Sequence, residues 1–140
     1  MDDLSFIREV AHRLKCDESR AEAAVFVIFR ELRDRLTPRE ATHVAAQLPH
    51  RLKQFWTDDE RPDREVRKTH RAEFVGRVRQ RTAVPDDGEA ERLIKAVFGT
   101  LQKLLGSRAP TEGESWDIFS QLPKDMKTLW LAAGETSESK

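Results

Sequence analysis

Apolar residues recur at spacings of three and four from the start of the chain. Leu4, Phe6, Ile7, Val10, Ala11 and Leu14 share one side of a predicted first helix, with Asp3 or Ser5 placed to cap it. Lys15-Cys16-Asp17 interrupts the pattern, and Asp17 or Ser19 can cap a second helix over 18–35. That helix buries Ala21, Ala24, Val25, Ile28, Phe29, Leu32 and Leu36. Thr37-Pro38 followed by Glu40 reads as a stop and a new start. Thr stands at the cap, Pro at the first helical position, and Glu40 reaches back as in a capping box. A third helix, 38–47, offers Ala41, Val44, Ala45 and Leu48, and a fourth runs from Pro49 to Trp56.

After a charged, proline-bearing connection at 57–63 the pattern begins again. Phe74, Val75 and Val78 match Phe6, Ile7 and Val10 at an offset of 68; Ala90, Ile94, Val97, Phe98, Leu101 and Leu105 match Ala21, Val25, Ile28, Phe29, Leu32 and Leu36 at an offset of 69. The ends of the two halves are alike: Gln47-Leu48-Pro49 and Trp56 correspond to Gln121-Leu122-Pro123 and Trp130 at an offset of 74. Proline fixes its own φ, lacks an N–H and disfavours the α region in the residue before it. Each QLP therefore predicts a sharp helix–helix corner, with its Gln amide bonding groups freed there. Leu52, Phe55 and Trp56 then form an apolar face ending in a large anchor. The expected fold is all-α: two tandem four-helix repeats, 1–60 and 61–134, packed as one pseudo-twofold bundle with a shared core. A half of about 60 residues is marginal alone. Residues 135–140 carry no apolar side chain and are expected to form a disordered tail.

FIREVAHRLKC and FVGRVRQRTAV open the halves; AAQLPHRLKQFW and SQLPKDMKTLW close them. On these stretches the chain, from Leu4 to Ala133, resembles the bacterial domain-of-unknown-function 2267 family. The resemblance implies an all-helical cytosolic bacterial protein, and it brings no agreed activity, cofactor or catalytic residue. Trp56 and Trp130 depart from the Leu or Phe more usual in the family, and the 106–115 loop is longer than the family pattern.

Charge and chemistry narrow the picture. The 140 residues hold 25 basic and 25 acidic side chains, so no global field recruits nucleic acid or an anionic membrane. A single cysteine excludes an internal disulfide framework and fits a reducing cytoplasm. The acidic amino terminus is no signal peptide, and no apolar run is long enough to span a bilayer. Two Glu-x-x-His pairs, Glu9/His12 and Glu40/His43, match the ligand spacing of di-iron bundles. At 100° per residue both pairs lie off their apolar stripes, which makes them surface charge and predicts no metal and no cofactor. Cys16 reads as a packing residue, though Lys15 beside it could favour a thiolate. No phosphate loop, nucleophile elbow or paired-cysteine motif is present.

The basic stretch 64–81 carries cations at 64, 67, 68, 71, 77, 79 and 81. As one helix it would align Arg64, Lys68, Arg71 and Arg79, with Arg67 beside them, as candidate nucleic-acid contacts. No aromatic is interleaved for base stacking, so a solvated face is the simpler expectation. The reading that remains is a non-catalytic helical interaction module, a regulatory or stress-related adaptor for an unidentified protein, acting as a monomer or weak dimer. Nucleic-acid binding is the alternative, and a metal enzyme in the bundle is third.

Overall fold

The computed structural model describes residues 1–106 and 113–138, the side chains of 113–116 and 135–138 excepted. Among the described residues every regular element is a helix: α1 Asp3–Leu14, α2 Glu18–Arg33, α3 Pro38–Ala45, α4 His50–Thr57, α5 Arg71–Thr82, α6 Asp87–Leu105, α7 Gly113–Gln121 and α8 Lys124–Glu138. Most of the long loop expected at 106–115, namely 107–112, lies outside the described residues.

Helix starts differ from expectation in ways that join the elements. Asp2, rather than Asp3 or Ser5, caps α1, its carboxylate accepting the Ser5 N–H at 2.8 Å. Leu4 consequently faces water, while Phe6, Ile7, Val10, Ala11 and Leu14 are buried. Asp3 is left to accept the Leu52 N–H at the start of α4, also at 2.8 Å. That helix needs an outside acceptor. Pro49 sits at its cap rather than at its first turn and has no side-chain oxygen to offer. Lys15 and Ala83, at matching positions, end α1 and α5 in the left-handed conformation. α8 continues through Glu138, into the stretch expected to be disordered. Once Leu129, Trp130 and Ala133 anchor that helix, adding further turns costs little.

α2 and α6 are the central pair. α2 packs on α1, α4, α5 and α6; α6 packs on α1, α2, α5, α7 and α8. Between the halves, α1 meets α6, α5 meets α2, α2 meets α6 and α3 meets α7, and exchanging the labels of the halves leaves this set unchanged. Gly99 on α6 leaves room for the guanidinium of Arg13 on α1, which a Cβ there would displace.

Residues matched in sequence make matching contacts. Phe6 packs edge-on against Phe29 and Phe29 against Trp56, with centroids 5.7 and 5.5 Å apart; Phe74, Phe98 and Trp130 make the same sequence of contacts at 5.9 and 4.9 Å, with the rings tilted rather than edge-on. Arg33 donates to the Trp56 carbonyl at 3.0 Å, and Gln102, its counterpart, donates to the Trp130 carbonyl at 2.9 Å. The Trp56 indole N–H donates to the Ala41 carbonyl at 2.9 Å, tying α4 to α3.

Both indoles are almost without solvent access, at 1% for Trp56 and 3% for Trp130. Trp130→Ala is expected to cost about 3–5 kcal/mol of stability. The loss should appear in one transition of the whole chain, because α6 and α8 belong to a core shared with α1 and α2. Denaturant unfolding followed by far-ultraviolet circular dichroism checks both the size and the single step.

Candidate functional site

The basic stretch does not form one helix. Residues 64–70 run without helix along the end of α2, and α5 begins only at Arg71. Tertiary contacts hold this segment out of the helix. The Arg67 N–H donates to the Asp34 carbonyl at 2.8 Å, and the hydroxyl of buried Thr69 accepts from Arg35 Nε at 3.0 Å. Arg64, Lys68, Arg71 and Arg79 therefore share no common face, contrary to the helical expectation.

Most of these cations already have partners. Arg64 pairs with Glu60 at 2.6 Å and donates to the Leu36 and Arg33 carbonyls at 2.9 and 3.0 Å, closing the end of α2. Arg71 pairs with Glu91 at 3.1 Å, and Arg79 lies 3.5 Å from Asp87. Arg77 and Arg81 reach Glu31 at 2.8 and 3.0 Å. Lys68 is exposed, and Arg67 is exposed with Glu73 at 3.6 Å.

Of the candidate contacts, Arg64 and Arg67 come together, in a cleft of about 470 Å³ between α2 and the 58–67 connection. Its walls add Arg30, Arg33, Asp34, Asp59, Arg61, Glu65 and Val66. Arg33 is 2% exposed and donates to Asp34 and to the Trp56 and Asp58 carbonyls, with Glu60 at 3.6 Å. Arg30 holds Asp58 and Asp59 at 3.2 Å each, and Asp59 adopts a left-handed backbone, φ 58°. Sequence reasoning missed Arg30 and Arg33. Their only signal is spacing, two arginines three apart just after the apolar run 23–29 of α2.

Beside the cleft, Glu31 is buried at the α2–α5 crossing within reach of three guanidinium groups. Arg35, also buried, donates to its carboxylate and its carbonyl at 2.9 Å, while Arg77 and Arg81 approach from α5. Arg35 lies over the Phe74 ring, 4.9 Å from the centroid, and its Nη2 has no hydrogen-bond partner. Burial pulls the Arg35 guanidinium below its ordinary range, with Glu31 opposing; the Glu31 hydrogen bond pushes Arg77 up.

The two Glu-x-x-His pairs have different fates. Glu9 accepts from Arg13 at 2.9 Å, which lowers its carboxyl, and His12 is exposed. Glu40 was expected at the surface but is buried, because α7 packs on α3. Its Oε2 has no partner, and His43, half exposed, lies 3.9 Å from its Oε1. Burial first, then the charge of Asp117, raises the Glu40 carboxyl. The capping-box role expected of Glu40 falls instead to Gln121, whose amide oxygen accepts the Thr37 N–H at 3.0 Å from the other half. Of the other QLP residues, Leu48 and Leu122 are buried. Among the described residues no group of three or more His, Cys, Asp or Glu could hold a metal ion, and no helix is long and apolar enough to cross a membrane. Cys16 is half-buried against the core, and burial raises its thiol.

These elements define an all-α protein in which arginines and carboxylates are paired at the junction of its halves. The family model described as "Uncharacterized conserved protein (DUF2267)" matches residues 4–129, and the chain belongs to that family. A search of the curated proteins finds no match.

Two substitutions test the electrostatics. Glu31→Ala leaves buried Arg35 without its carboxylate and is expected to cost about 3–5 kcal/mol, read by urea unfolding. Glu40→Gln acts in the opposite sense and depends on pH. A carboxyl raised in the folded state contributes stability that is full below its unfolded pKa and is lost as pH rises through the raised value. Glu40→Gln should therefore stabilise the protein at pH 7 and make little difference at acid pH, with His43, Arg39 and Asp117 the charges nearby. Thermal melts of both proteins across that range check the sign.

Proposed function

We propose that this protein is a non-catalytic helical adaptor of the bacterial cytoplasm, regulatory or stress-related, that takes an acidic segment of a partner protein in the arginine-lined cleft. It works as a monomer or weak dimer. The observation that carries the reading is the distribution of cations. Arg30, Arg33 and Arg64 already engage Asp58, Asp59 and Glu60 of the connection, while Arg61 and Arg67 stand exposed at the same cleft. A carboxylate-bearing chain can extend the row of guanidinium–carboxylate pairs that the connection begins. Nucleic acid has less support. A phosphate backbone is best met by several cations on one face, and Arg71, Arg77, Arg79 and Arg81 each lie within 4 Å of an acid of this chain.

Calorimetric titration with a synthetic Asp/Glu-rich peptide, beside duplex DNA of similar charge, tests the proposal. The peptide should bind. Arg61→Gln combined with Arg67→Gln should weaken it about ten-fold or more. Thermal unfolding should hardly change, since both side chains are exposed. A duplex that binds more tightly than the peptide, with no loss in the double variant, rules the adaptor site out.

A further inference from the structure

A second concavity lies on the seam of the two halves, where the flank of α2 faces the end of α5 and the side of α6. Ala23, Ala24 and Val27 of α2, with Val84 and Leu93, give it an apolar floor. Its volume is about 210 Å³. That is roughly seven water volumes at ~30 Å³ each, enough for a short hydrocarbon body. The polar lining is Arg20, Arg81 and Thr82, whose hydroxyl donates to the Val78 carbonyl, and no acidic residue lines it. This sets it apart from the arginine-lined cleft, whose walls include Asp34, Asp59 and Glu65.

Acids beside this lining already have partners, Asp17 accepting the Arg20 N–H and Glu22 pairing with Arg51. Glu31 is held by Arg35 and Arg77 as well as by Arg81, and Glu89 by Arg92 at 2.7 Å. Arg81 meets Glu31 through Nε, so its two Nη nitrogens are the donors it can offer. The Arg20 backbone N–H caps α2 on Asp17, and its side chain is exposed. An apolar floor with one exposed guanidinium, that of Arg20, and a second, that of Arg81, which meets Glu31 through Nε and keeps its Nη donors, complements one kind of ligand, an apolar body carrying a single anionic head.

We infer that the pocket between Ala23, Val27, Val84 and Leu93, rimmed by Arg20 and Arg81, binds a small apolar monocarboxylate such as a medium-chain fatty acid. The carboxylate lies on the two arginines and the hydrocarbon on α2 and α6. Because α2 comes from one half and Val84 and Leu93 from the other, the ligand bridges the halves, and its binding raises the melting temperature of the whole chain.

Octanoate, octanol and a hexapeptide ending in a free-carboxylate leucine are the probes, added to the full-length protein and followed by amide chemical shifts and thermal melts. Octanoate should give saturable shifts centred on Ala23, Val27, Thr82 and Val84, with affinity about ten-fold above octanol. Arg20→Gln should bring octanoate down to the level of octanol, and Ala23→Phe should abolish its shifts. Should Ala23→Phe fail to fold, the Arg20→Gln comparison decides alone. Equal affinity for octanoate and octanol, shifts centred elsewhere, or unchanged octanoate binding in Arg20→Gln overturns the assignment. Tighter binding of the hexapeptide than of octanoate overturns the small-molecule reading.

Discussion

Glu31 and the cations around it decide how the two halves meet. A carboxylate with almost no access to water is tolerable only where guanidinium groups replace its hydration. Arg35 comes from the turn just past the end of the same helix, while Arg77 and Arg81 come from α5. Thr69 then bonds Arg35, fixing the last residues of the connection before α5. The crossing of α2 and α5 is thus specified by charge as well as by Phe74 and Val78. The opposite crossing, of α1 with α6, is built differently: Thr100 stands where the first half has Glu31, and Gly99 makes room for Arg13.

The same economy of charge explains why a stretch rich in arginine is not a cationic face. Arg64 closes the end of α2, Arg71 reaches α6, and Arg77 and Arg81 serve Glu31. What remains near solvent is local. It includes the cleft at 58–67, with Arg61 and Arg67 exposed, the latter 3.6 Å from Glu73, and the rim of Arg20 and Arg81 on the seam, where Arg81 also meets Glu31. Under the functions proposed above, both take one or a few carboxylates rather than an extended polyanion, in keeping with a net charge of zero.

The halves also solve one capping problem by exchanging chemistry. α4 and α5 both start without a side-chain cap of their own. Asp3 of α1 serves α4, whereas Asp125 of α8 accepts the first N–H of α5 at 3.1 Å, which lowers its own carboxyl. Arg51 and Arg71 then pair with Glu22 and Glu91, at matching places on α2 and α6. Asp3 corresponds in sequence to Arg71, and Arg51 to Asp125, so acid and base have changed places between the halves.

The amino-acid order by itself determined the helices, their cores and the matched aromatic positions, because apolar spacing, Pro and capping residues act over a few neighbours. Phe29, Trp56, Phe98 and Trp130 were legible as core at that range, and the cap of α2 was narrowed to Asp17 or Ser19, of which Asp17 takes the role. What it left open depends on partners far along the chain. Glu40 lies off its own apolar stripe and is buried only because α7 covers it; the Gln121 amide finds the start of α3 rather than its own corner. Arg30 and Arg33 become cleft walls only when the connection folds back over α2. Long-range packing decides where a charged side chain finds its counter-charge, and no local periodicity encodes that.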